Sequence, residues 1–83
     1  MLRSYFKDGR LAVMPRAGRK RRIVLDFVAQ EFEPGVRYTE VDVNLALRRI
    51  WPDVAALRRY LVDEGLLARA EGMYWRVGGS VEI

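Results

Sequence analysis

The 83-residue sequence predicts a small α+β domain built from three helices and a C-terminal β-hairpin. Three observations carry that expectation. Residues 53–77, DVAALRRYLVDEGLLARAEGMYWRV, pass from an amphipathic helix through a glycine stop at Gly65 into two short extended segments. Upstream, two further stretches repeat apolar residues at the spacing of a helix face. Near the N-terminus, Asp8-Gly9 is the residue pair of a tight hairpin loop, so an added strand or hairpin is expected there. Helices followed directly by a hairpin outline a winged helix. The expected architecture is therefore one winged-helix-like domain over residues 1–83.

Composition narrows the chemistry. Half of the residues, 51%, are apolar, enough for a core and too many for a disordered chain. No apolar run approaches the roughly 20 residues that span a bilayer. The N-terminus, MLRSYFKDGR, lacks the apolar stretch of a secretory signal, and no cysteine is present. A cytoplasmic location is the expectation. The sequence also has no histidine, and the two absences together remove imidazole bases, thiolate nucleophiles and most zinc sites. Its carboxylates are scattered singly, with no dense oxygen-ligand loop. No catalytic residue, metal or cofactor is expected, and the chain does not read as an enzyme.

Charge is unevenly placed. Residues 1–22 hold eight cations against Asp8 alone, a net +7, whereas residues 23–83 sum to −3. The basic character is an N-terminal feature.

In chain order, a strand is expected over Arg10–Met14, with a partner at Ser4–Phe6, and Pro15 ends it. A helix follows from Arg19 to about Glu33, with Ile23, Phe27, Val28 and Phe32 on its apolar face, and Pro34-Gly35 stops it. Its first turn is RKRR, residues 19–22, an arrangement that opposes the helix macrodipole. Val36-Arg37-Tyr38 is a short extended piece leading to Thr39, which caps a second helix with Asp42 three residues on. That helix runs to about Ile50 and turns Val43, Ala46, Leu47 and Ile50 inward. Asp53 caps a third helix, about Val54 to Glu64, with Val54, Leu57 and Leu61 inward and Arg58, Arg59 and Asp63 outside. Strands are expected over Leu66–Ala70 and Met73–Val77, with Gly72 at a bulge position.

The segments YTEVDVN (38–44), LRRYLVDEGLL (57–67) and YWR (74–76) resemble a bacterial family known as domain of unknown function 2087. DGRL (8–11), Pro15, RKRR (19–22) and FEPG (32–35) fit the same pattern, so the resemblance spans about Phe6 to Val77. Asp42 stands where the family more often has Glu. The resemblance implies a regulatory role, because some copies follow ArsR-type helix-turn-helix domains in transcriptional regulators and others adjoin acetyltransferase-type domains. It supplies no catalytic or ligand residues.

The candidate nucleic-acid-binding residues are Arg16, Arg19, Lys20, Arg21, Arg22, Arg58, Arg59 and Arg76. The RKRR turn offers cations for phosphates, or equally a solvated helix start. Arg58 and Arg59 sit where a groove-entering helix would present them. However, an Arg59–Asp63 pair at i+4 and an Arg58 anchor to a neighbouring carboxylate are the simpler roles. Residues 53–64 carry a net −1, which favours those roles. Tyr74-Trp75-Arg76 could stack on bases, but core packing is favoured for Trp75. Asn44, unusual inside a helix, is expected to meet a tertiary partner, either the backbone carbonyls of the wing or a facing arginine.

The leading expectation is a nucleic-acid-binding or transcription-associated regulatory module. DNA affinity would come from the basic N-terminal segment more than from the third helix. The alternative is a protein-interaction module, a homodimer or partner-docking domain that does not bind DNA. A small-molecule sensor is a third option, with no ligand indicated. No membrane partner is expected.

Overall fold

A computed structural model describes residues 5–79 and contains three helices and two small antiparallel sheets. The chain opens with β1 (Phe6–Lys7) and β2 (Arg10–Leu11), shorter than the expected strands. Ser4, the expected start of the partner strand, lies outside the described residues, as do the last four residues. Asp8 and Gly9 both take positive φ, 55° and 78°, the geometry that matches a two-residue loop to strand twist. Leu11 is buried and its N–H donates to the Ile50 carbonyl at 2.8 Å, while the Phe6 ring rests 4.9 Å from that of Phe27.

Helix α1 (Gly18–Ala29) is rotated from the expected face: Val24, Leu25, Val28 and Ala29 are buried, and Phe27 is exposed. Phe27 serves as a platform for the N-terminal hairpin rather than as core. The helix also stops earlier than Glu33. Gln30, Glu31 and Phe32 donate to the carbonyls of Phe27, Val28 and Ala29, a tightened i→i−3 turn that swings Phe32 into the core. Tyr38 then holds this turn from outside, its hydroxyl accepting from the Glu33 N–H at 2.8 Å.

The two inner helices follow their caps. Thr39 Oγ1 accepts from the Asp42 N–H at 3.2 Å to start α2 (Glu40–Arg48). Asp53 Oδ1 accepts from the Ala56 N–H at 3.1 Å to start α3 (Val54–Asp63). Val43, Leu47 and Ile50 from α2 and the following turn meet Leu57 and Leu61 from α3 in one core. Helix α3 ends in a Schellman motif: Leu66 N–H donates to the Leu61 carbonyl and Gly65 N–H to that of Val62, with Gly65 at φ 72°.

The extended piece before Thr39 is a true strand, β3 (Arg37–Thr39), for which the sequence alone indicates no partner. It joins β4 (Leu67–Ala70) and β5 (Met73–Arg76) in a sheet ordered β3-β5-β4, so the last strand is central. Tyr38 stands opposite Tyr74 and Arg37 opposite Trp75. The β4–β5 loop has no bulge. Ala70 pairs with Met73, and Glu71 and Gly72 take φ of 54° and 77°, the same turn chemistry as Asp8-Gly9.

The core role expected for Trp75 falls instead to Tyr74, which is 2% exposed while Trp75 is half-buried. Alternation places the two rings on opposite faces, but the face meeting the helices is the one shared by Leu67 and Tyr74. Trp75 lies on the outer face, with the Arg37 guanidinium 4.4 Å from its ring centre.

The chain passes closely over the end of α3 on its way out. Val77 and Gly78 N–H groups both donate to the Leu66 carbonyl, and a Cβ on Gly78 would stand 2.6 Å from the Gly65 carbonyl oxygen. Gly78→Ala should therefore destabilise the fold by about 1–3 kcal/mol, read as a lower urea midpoint in tryptophan fluorescence. An unchanged midpoint would show that this crossing carries no constraint.

Candidate functional site

Helix α3 and the β4–β5 hairpin enclose a groove of about 240 Å³ lined by Ala55, Arg58, Arg59, Val62, Asp63, Arg69 and Tyr74. Two of these residues, Arg58 and Tyr74, belong to a polar network spanning three elements. Tyr74 Oη donates to Glu40 Oε1 at 3.1 Å, Arg58 Nη2 lies 3.9 Å from the same carboxylate oxygen, and Arg58 Nη1 donates to Asn44 Oδ1. The Arg58 side chain is only 19% exposed. It links α3 to the first turn of α2, and the expected facing arginine for Asn44 is this one. Arg58 is engaged by the fold, although it also lines the groove.

Arg59 is the opposite case. Its side chain is 80% exposed, and its Nε stands 3.8 Å from Asp63 Oδ2, the expected i+4 pair. Such a pair contributes a few tenths of a kcal/mol and yields easily to a competing anion. Across the groove, Arg69 is exposed on β4, and its side chain makes no ion pair with a described residue. Arg69 is not among the residues that the sequence singles out. Strand alternation is the available signal, since Arg69 shares a hairpin face with Leu67 and sits opposite Tyr74.

The basic start of α1 is anchored beside the C-terminal end of α3. The Arg21 guanidinium lies 4.0 Å from the centre of the Tyr60 ring, and Arg22 Nη1 lies 3.6 Å from Glu64 Oε2. Arg16, Arg19 and Lys20 are exposed and form no ion pair with a described residue. The first turn has no side-chain cap and no acidic residue, so its cations stand against the helix dipole without local compensation. The contacts to Tyr60 and Glu64 supply part of that compensation from α3.

Arg76, the last of the expected contacts, is at the base of the hairpin rather than its tip. Its Nε donates to the Gly78 carbonyl at 3.0 Å and its Nη1 to the Phe32 carbonyl at 3.1 Å, tying β5 to the turn after α1. The structure thus brings Arg59 and Arg69 to one groove and places Arg21 and Arg22 at the end of α3. It engages Arg58 and Arg76, both partly buried, in bonds to other segments.

Among the described residues no group of three or more Asp or Glu side chains could hold a metal ion. No helix among them is long and apolar enough to cross a membrane. The described chain is thus a small α+β protein of three helices and two small antiparallel sheets. It belongs to the family described as an uncharacterized protein conserved in bacteria (DUF2087), whose model matches residues 10–76. No curated protein and no solved structure matches it.

The two arginines of α3 should separate on mutation. Arg58→Ala should cost about 1–3 kcal/mol in urea unfolding, because it leaves Asn44 Oδ1 without its partner and Glu40 with Tyr74 alone. Arg59→Ala should stay within about 0.5 kcal/mol. Equal losses would mean that Arg58 does not hold α2 to α3.

Proposed function

We propose that this domain is a non-enzymatic regulatory module of winged-helix type that binds nucleic acid mainly through phosphate contacts. The element order supports that reading: helix, strand, two helices and a hairpin, with the first strand of the sheet paired to the last. In this arrangement α3 approaches a groove of the duplex and the hairpin lies against the backbone. The carrying observation is the attachment of the basic first turn of α1 to α3 through Arg21–Tyr60 and Arg22–Glu64. It sets the RKRR cations at the C-terminal end of the helix whose exposed side bears Arg59, with Arg69 on the facing hairpin.

Base reading by such a surface is limited. Arg58 is occupied by Glu40 and Asn44, and the exposed side of α3 otherwise offers Ala55, Val62 and Asp63. Affinity therefore rests on counterion release, which is steeply salt-dependent and weakly sequence-selective. A transcription-associated role follows if a linked or partner domain supplies the sequence choice.

A duplex titration across a salt series, followed by tryptophan fluorescence or gel mobility, tests this reading. Replacing Arg19, Lys20, Arg22 and Arg69 together by Gln should remove most of the affinity. It should also flatten the dependence of log K on log salt by roughly 0.9 for each phosphate left without its cation. Arg21 is kept because its guanidinium packs on Tyr60. If neither duplex nor single strand binds at about 50 mM salt, the reading fails.

A further inference from the structure

The outward side of α2 bears the features of a self-complementary surface. Val41 and Leu45, one turn apart, are 66% and 56% exposed, on the side of the helix away from Val43 and Leu47. Beside them runs a shallow groove of about 620 Å³ bounded by Arg10, Asp42, Leu45, Ala46, Arg48 and Arg49. Three arginines thus share this groove with one carboxylate. Arg10 Nη1 donates to the Arg49 carbonyl at 3.4 Å, yet none of the three arginines forms an ion pair with a described residue. The groove is short of negative charge.

The helical repeat sorts these residues about Leu45. At 3.6 residues per turn, Asp42 and Arg49 fall on one flank of Leu45, and Val41 and Arg48 fall on the other. Two copies of α2 laid antiparallel, with a two-fold axis beside Leu45, satisfy both flanks in a single register. Leu45 meets Leu45 on the axis. Each Asp42 faces Arg49 of the second copy, and each Val41 lies under the aliphatic stem of Arg48 of the second copy. The antiparallel arrangement also sets the helix dipoles head to tail. A partner of unrelated sequence would need to bring its own carboxylate and apolar side chain, whereas a second copy carries both at the required spacing.

We propose that this face of α2 is a homodimer interface, with Leu45 at the two-fold axis and reciprocal Asp42–Arg49 ion pairs on its flank. It uses none of the residues that line the α3–hairpin groove, so it stands independently of nucleic-acid binding. A helix of nine residues is about 13 Å long and presents less than the roughly 1,200 Å² of a stable interface. The dimer is accordingly weak, with a Kd of about 0.1–1 mM.

Sedimentation velocity of the full chain from about 10 µM to 1 mM reads this directly, with circular dichroism confirming that each variant is folded. The weight-average sedimentation coefficient of the wild type should rise toward that of a dimer, while Leu45→Asp should remain monomeric throughout. Asp42→Arg and Arg49→Asp should each weaken association about tenfold, and the double reversal should recover it. A wild type that stays monomeric at about 1 mM overturns the proposal and leaves the face to another partner. Association of Leu45→Asp equal to wild type overturns it as well. Failure of the double reversal to recover association overturns the antiparallel register.

Discussion

The pairing of β3 with β5 is the constraint on which the rest of the domain depends. Three residues, Arg37–Thr39, join the start of the helical pair to the end of the chain, and Thr39 is at once the last strand residue and the cap of α2. No linker separates sheet from helix, so the direction of α2 is set by the strand before it. A two-stranded ribbon alone is marginal in water. With β3 added, β5 becomes a central strand, and Tyr74 is pressed onto the core with its hydroxyl on Glu40 at the start of α2.

Around this frame the arginines divide by environment rather than by position in the sequence. Arg58 and Arg76 sit low in the structure and donate to groups from distant segments, where breaking a bond leaves a polar atom unpaired. Arg21 spends its guanidinium on the Tyr60 face. Arg59 and Arg69 stand at the groove in water, where pairing contributes little and an incoming anion meets little competition. A single residue type thus performs framework and surface duties, and burial decides which.

Much of the local structure was legible in the sequence because its causes are local. Asp8-Gly9 as a hairpin loop, Thr39 and Asp53 as caps, Gly65 as a left-handed stop and the Arg59–Asp63 pair each depend on residues within about one turn. The candidate site was legible only in part. The basic first turn of α1 was evident, but its attachment to Tyr60 and Glu64 joins residues about 40 positions apart and has no local signature.

By itself, the sequence determined a three-helix α+β domain with a C-terminal hairpin, the ends of its inner helices and the absence of histidine and cysteine chemistry. Tertiary structure decided which side of each element is inside. It buried Tyr74 instead of Trp75, turned Phe27 outward beneath Phe6, recruited Arg37–Thr39 as a strand and engaged Arg58 and Arg76 in bonds to distant segments. Periodicity states that a helix or strand has two unlike faces. Which one is buried depends on the element packed against it, and in this chain that neighbour is usually far away in sequence.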